Sequence, residues 1–280
     1  MNNKEKIGVG ICTFNRLDYL KGLINSLVPC QNVIDELIVV NDGGEVPEWD
    51  LPFGTWINNE KNSGVAVSKN NALKCLLEKD CDYFFLIEDD MLIKDSTVFE
   101  KYIEAYKKTN IQHFNYGPGT PFNRKQNVQF DIHNRSELDQ QSEPLPRITI
   151  DYGKGVKIDL YTHVAGMFSF FTRNVLEKVG LLDEQFYNAW DHVDHTYRII
   201  KAGYHPPFWW FADIHNSNNF IEEQKEAIQK SAISKNSEQW LNNVHKGREL
   251  YLNKHGHYPN QPPIYNQEQT LQILKQIKNG

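Results

Sequence analysis

Glu88, Asp89 and Asp90 stand side by side directly after the apolar run DYFFLI. Three adjacent carboxylates repel one another unless a cation or a hydrogen-bond network holds them. Their oxygens suit Mg2+ or Mn2+, ions that commonly complete their shell with substrate phosphates. A solvated turn or helix cap is the plainer alternative, since Asp95-Ser96-Thr97 follows soon after. Two more polar clusters, Thr13-Phe14-Asn15-Arg16 and Asn41-Asp42-Gly43-Gly44, also end apolar runs. That shared register favours the ligand-binding alternative, because open α/β sheets bind ligands at the carboxyl ends of their strands. Trp190-Asp191-His192-Val193-Asp194-His195 opens a helix. Asp191 and Asp194 share one face of it, and His192 and His195 another. Asp191 also suits the helix dipole, and two histidines at this spacing without a third ligand are more simply surface or core groups. His215, at a strand end, is a metal ligand or a structural hydrogen bonder.

The elements that would carry these clusters follow from periodicity. Strands are expected at 7–13, 36–41, 55–58, 82–88, 161–171 and 206–214. Helices are expected at 17–28, 65–79, 173–180 and 190–202, the first stopped by Pro29 and the last by Gly203. Alternating strands and helices indicate a mostly parallel central sheet with helices on both faces. Residues 112–155 show little periodicity, and so long a loop should have a task such as covering a substrate. Residues 220–254 look helical and charged, and the last 25 read as a polar tail, docked or linking. No G-x-G-x-x-G follows the first strand and no G-x-x-x-x-G-K-[ST] occurs, which removes most support for a dinucleotide site or a P-loop.

The chain has 280 residues, 40% hydrophobic and 24% charged, which fits a globular α/β protein and not a disordered or fibrous one. Its net charge of -6 argues against broad binding to nucleic acid. Arg124, Lys125, Arg135 and Arg147 could still line a local basic groove. No run reaches the ~20 apolar residues of a membrane span, and Met1–Lys6 carries no leader pattern. Cys12, Cys30, Cys75 and Cys81 show no C-x-x-C or zinc spacing and read as free thiols. A cytoplasmic protein is expected, or one peripheral to the inner face of a membrane.

With its clusters placed, the chain resembles the family 2 glycosyltransferases of the GT-A fold over about residues 7 to 215. ICTFNRLDYLKGLINSL is similar to that family's first strand, T-[FY]-N-R loop and first helix. ELIVVNDGG resembles its second strand, with Asn41 for the first Asp of D-D-G-S. NSGVAVSKNNAL resembles N-x-G-x-x-x-A-R-N-x-G, with Lys69 for Arg, and FFLIEDDMLI the D-x-D strand, with Glu88 in first place. GMFSFFTRNVLEKVGLLDEQF and AWDHVDHTYRIIKAGY resemble the acceptor-side segment and the E-D-x-[DE] helix.

The resemblance implies an inverting, hexosyl-transferring enzyme that moves a sugar from a UDP-sugar to a hydroxyl of a glycan or other acceptor. Thr13, Asn15, Arg16, Asp42, Lys69 and Asp89 would hold the nucleotide-sugar, Asp42 at the uracil. Asp90, Glu88 and His215 would bind Mn2+ or Mg2+. Asp191 or His192 would be the general base. Asp191 is favoured because a carboxylate is already ionised at neutral pH, whereas the neighbouring acids favour protonation of His192. Trp190, Trp209 and Trp210 either shape the acceptor site or serve as packing. The implied organisation is a catalytic domain at 1–219, with a nucleotide half to about 110 and an acceptor half beyond, then an extension at 220–280. The alternatives are a non-catalytic binding module, a sugar nucleotidyltransferase, and a transferase acting on nucleic acid.

Overall fold

The computed structural model describes residues 4–127, 139, 141–224 and 237–280. Strands β1 (Ile7–Thr13), β2 (Glu36–Asn41), β3 (Thr55–Asn58) and β4 (Tyr83–Glu88) run parallel in the order β3-β2-β1-β4. Helices α1 (Leu17–Leu27) and α2 (Val65–Glu78) connect them. Further along, β5 (Met91–Ile93) is followed by α3 (Val98–Thr109), β6 (His113–Asn115), β7 (Ile148–Gly153), β8 (Val156–Tyr161) and β9 (Phe168–Thr172). β9 lies antiparallel to both β4 and β6 and completes a six-stranded sheet. After α4 (Arg173–Val179) and α5 (Asp191–Lys201), β10 (Phe211–Ile214) joins β8 and β7 in a second sheet, and β11 (Ile221–Glu223) pairs with β5. Helices α6 (Ser237–His255) and α7 (Gln267–Asn279) end the chain.

The central strands are apolar throughout because both their faces are covered. Along β1, Val9 and Ile11 pack in one core with Leu20, Leu23 and Ile24 of α1. Gly10 faces α2 at very close range, since a Cβ there would stand 2.8 Å from the Cβ of Ala72. Along β4, Phe85 enters the α1 side while Phe84 and Leu86 enter the α2 side. Each such fully buried side chain contributes roughly 1.5–3 kcal/mol.

Five expectations need correction. The strand expected over 161–171 begins only at Phe168. Asn123 explains this: its side chain accepts from the His163 N–H at 3.0 Å and donates to the His163 carbonyl at 2.8 Å, taking bonds a ladder would need. The strand expected over 206–214 is confined to Phe211–Ile214, because Pro206 and Pro207 lack N–H groups and Trp209 has a φ of 71°. Residues 112–155 contain β6 and the half-buried β7. Within 220–254, Ile221–Glu223 is a strand and the described helix starts at Ser237; 225–236 lie outside the described residues. The polar tail contains a helix: Asn266 and Gln269 form a capping box, and Leu274 and Ile277 are buried.

Three buried histidines sit between the sheet and α5. His113 stacks on Phe171 with ring centroids 4.4 Å apart. Its Nδ1 donates to the Phe170 carbonyl and its Nε2 accepts from Thr196. His205 accepts from the Ala212 N–H through Nε2 while Nδ1 donates to the Pro206 carbonyl. His113 and His205 each therefore use one nitrogen as an acceptor, which only the neutral form can do. Burial holds His113 well below the ordinary value and brings His195 down to about 3 and His205 down to about 4. The unfolded chain takes up these protons near pH 6.5 and the fold does not, so their stabilisation is full above that pH and lost as pH falls towards 4. Burial raises Asp89, Asp213 and Glu223 to about 7, which works in the opposite sense over the same interval. Ring signals separate the two effects where a melt would not. In an imidazole NMR titration from pH 8 to 5, His113, His195 and His205 should stay neutral; protonation of any of them above pH 5.5 would refute that assignment.

Candidate active site

The chain leaves β1 for β2 and β3 on one side, then crosses to β4 on the other side of β1. This reversal opens a crevice at the carboxyl ends of β1 and β4, the place where α/β sheets bind ligands. Cys12 pairs with Glu88 in register, so Thr13–Arg16 and Glu88–Asp90 leave the sheet side by side. Thr13 Oγ1 donates to Asp89 Oδ2 at 2.7 Å. Arg16 reaches Asp89 through Nε and Nη2, and Asp90 Oδ2 through Nη1 at 2.8 Å. It stands at the N-cap of α1 and makes no capping bond, since a guanidinium has only donors and a cap there needs an acceptor. Burial alone would lower Arg16, but Asp89, Asp90 and Glu88 outweigh it and hold the guanidinium firmly charged. Burial raises Asp90, with Arg16 opposing and Glu88 adding to the rise.

Lys69, on the second turn of α2, joins this cluster to the start of α5. Its Nζ lies 3.0 Å from Glu88 Oε1, 3.5 Å from Asp191 Oδ2 and 3.4 Å from the Gly166 carbonyl. Burial alone would push the ammonium down, but Glu88 and Asp191 together raise it above the ordinary lysine value. Asp191 is the first residue of α5 and is 3% exposed, so burial alone would raise it. Lys69, followed by His192, holds it well below the usual carboxylate range. Its Oδ2 has no hydrogen-bond partner, and Oδ1 lies 3.6 Å from His192 Nδ1. A buried carboxylate held ionised in this way, with Oδ2 ion-paired to Lys69 but not hydrogen-bonded, can accept a proton.

With that geometry in place, the comparisons with known proteins decide the family. The sequence profile of glycosyl transferase family 2 matches residues 8–180, more than half of the chain. The chain belongs to glycosyl transferase family 2. It is therefore a glycosyltransferase, and its α/β sheet is the GT-A type. An uncharacterised glycosyltransferase of Acanthamoeba polyphaga mimivirus is 26% identical over 268 residues, covering 90% of this chain and 94% of the relative. An uncharacterised glycosyltransferase, YwdF, of Bacillus subtilis is 27% identical, covering 66% of this chain and 65% of the relative. Among solved structures, S. aureus TarS is similar at 15% identity and a TM-score of 0.48, covering 79% of this chain and 61% of that one. The mannosyltransferase PcManGT from Pyrobaculum calidifontis, in complex with GDP-Man and Mn2+, matches at 12% identity and a TM-score of 0.42, covering 70% of this chain and 53% of that one.

The donor chemistry of the carboxylate cluster is the test of its fit to a divalent cation. The donors are oxygens only, and mutual repulsion adds to burial in raising Asp90 and Glu223. Glu223, which periodicity had assigned to a helix, arrives here because β11 pairs Glu223 with Met91. A pre-formed cage is not needed, since Mg2+-type sites take one or two carboxylates plus substrate phosphates. Among the described residues, no three His, Cys, Asp or Glu are grouped to hold a metal. Asp90, Glu88 and His215 thus do not share one site in this structure: Glu88 pairs with Lys69, and His215 Nδ1 lies 3.0 Å from Asp159 Oδ1 on β8.

The other expected residues divide. Asp42 closes a loop: Oδ1 accepts from Asn59 and from the Ser63 N–H, and Oδ2 from the Gly64 N–H at 3.0 Å. Asn15, at a φ of 55°, accepts from the Glu45 N–H. Asp194, though on the helix that bears Asp191, bonds Arg198, Lys254 and His255 and fastens α6 to α5. Trp190 donates to the Val244 carbonyl and Trp210 to the Tyr265 carbonyl, so both serve packing. Arg124 bonds the Pro118 and Ser142 carbonyls, Lys125 pairs with Glu143, and Arg147 stacks on Trp210. These three cations are engaged within the protein; Arg135 lies outside the described residues.

Lys69→Met would leave the buried Asp191 and the partly exposed Glu88 without their shared counter-ion. Removing one partner of a buried ion pair costs about 3–5 kcal/mol. Urea melts should show a loss of that size, largely recovered when Glu88→Gln and Asp191→Asn are added. A single variant within 1 kcal/mol of wild type, taking ~1 kcal/mol as the level of an exposed pair, would refute the bridge.

Proposed function

We propose that this glycosyltransferase moves a sugar from a UDP-sugar to an acceptor hydroxyl with inversion, and that Asp191 is the base. The observation that carries this reading is the buried Asp191 carboxylate, held ionised by Lys69 at 3.5 Å and with Oδ2 free of hydrogen bonds. One free base suits a single displacement. Asp191 takes the proton of the acceptor hydroxyl, and that oxygen attacks the anomeric carbon opposite the diphosphate. The new C–O bond forms as the bond to the diphosphate oxygen breaks. Thr13 and Arg16 hold Asp89 and Asp90 in place at the donor. Asp90, with phosphate oxygens of the donor completing the shell, would hold Mn2+ or Mg2+, which when bound neutralises charge on the leaving diphosphate.

On this reading residues to about 110 bind the nucleotide, 111–219 the glycan or other hydroxyl acceptor, and 220–280 extend the domain. Uridine rests on the resemblance at Asp42, so the choice of nucleotide goes to experiment. No helix among the described residues is long and apolar enough to cross a membrane. A cytoplasmic setting is supported by the free state of all four cysteines.

Asp191→Asn should lower transfer by about 10²–10⁴-fold, the range for a lost general base, while nucleotide binding persists. His192→Gln should stay within about tenfold of wild type; the reverse ranking would make His192 the base. Thermal shifts with UDP, GDP, CMP and dTDP, each with and without Mn2+, test the donor. A ligand at ~100 times its dissociation constant stabilises by about 2.7 kcal/mol. Stabilisation by UDP with Mn2+ alone is the expected result, and the same response to another nucleotide in its place would overturn the uridine assignment.

A further inference from the structure

Gln224 lies well beyond the family match, which ends at residue 180, yet it grips the centre of the site. Its main-chain N–H donates to the Asp90 carbonyl at 2.7 Å. Its side-chain Nε2 lies 3.1 Å from the Asp89 carbonyl, 3.3 Å from that of Met91 and 2.9 Å from that of Tyr19 on α1. One residue thus engages three consecutive carbonyls of the carboxylate turn and ties them to α1, the helix that Arg16 precedes. β11 brings it there by pairing with β5.

Gly22, one turn after Tyr19 on α1, supplies the room. A Cβ at this position would stand 2.6 Å from Gln224 Oε1 and 3.2 Å from its Cδ. Only the flexible glutamine could yield. Glycine inside a helix is less favourable than alanine, so α1 gives up helix stability at the point where the amide passes.

We propose that Gln224 is a positioning residue for the donor site: it fixes the Asp89–Asp90 turn against α1, and Gly22 is the space this requires. The functional half rests on the donor reading given above. Helix propensity and positioning predict opposite signs for Gly22→Ala. Propensity makes the variant as stable as wild type or more so; positioning weakens metal-dependent nucleotide binding.

The test uses the full chain as wild type, Gly22→Ala, Gln224→Ala and the double variant. Hydrogen exchange of residues 88–93 is read without ligand, and UDP binding is read with and without Mn2+. Both single variants should exchange faster in that segment and bind UDP with Mn2+ roughly tenfold more weakly, a typical coupling for residues in contact. In both readouts Gly22→Ala should add nothing to Gln224→Ala. Unchanged exchange overturns the clamp. Faster exchange with unchanged affinity, or a Gly22→Ala effect that persists without Gln224, overturns the positioning role. If wild type binds no UDP with Mn2+, the donor reading fails, and the exchange data alone decide the clamp.

Discussion

The site depends on one buried ammonium. Lys69 is 3% exposed and stands between Glu88 at the end of β4 and Asp191 at the start of α5. Without it, two carboxylates from separate parts of the chain would repel across a desolvated gap. At an effective dielectric near 20, unit charges 4 Å apart interact by about 4 kcal/mol, enough to decide whether the two halves close on each other. Lys69 has this reach because α2 packs tightly on β1, where Gly10 admits Ala72. Close packing of an ordinary helix on an ordinary strand therefore places the charge that joins the end of β4 to the start of α5.

Much of the fold was legible because its signals are local. The runs IGVGICT, ELIVVN and DYFFLIE gave β1, β2 and β4 within a residue or so, since fully covered parallel strands are apolar without interruption. The Gly180 and Gly203 stops gave the ends of α4 and α5. The errors lie where a side chain or an odd backbone angle overrides periodicity. Asn123 takes the bonds of His163 from 40 residues away, and Trp209 adopts a left-handed angle that no pattern of apolar residues announces.

The site was legible in its parts and not in its pairings. Sequence order placed Thr13, Arg16, Asp89 and Asp90 at strand ends, and the structure joins them by hydrogen bonds. It could not show that Arg16 already occupies Asp90, that Lys69 reaches Asp191, or that Glu223 and Gln224 return to the carboxylate turn. All are long-range contacts, and the last is set by β11 on β5, three residues whose Ile-Glu-Glu reads as helix as readily as strand. His215 shows the converse. Its position after a strand suggested a metal ligand, while its partner, Asp159, belongs to a strand that periodicity did not mark.

The charge around the crevice fits a donor that arrives with a cation. Glu88, Asp89, Asp90, Asp191 and Glu223 lie close enough to perturb one another, and the cations bonded among them are Lys69 and Arg16. A diphosphate alone would add negative charge where Asp90 and Glu223 are already pushed towards their neutral forms. A diphosphate carrying a divalent ion brings its own compensation and offers oxygens to complete the ion's shell. The carboxylates that look over-crowded in the free protein are then the feature that couples nucleotide binding to metal binding. Arg16 belongs to the same balance, because it holds Asp89 and Asp90 together before any ligand is present and leaves the turn ordered.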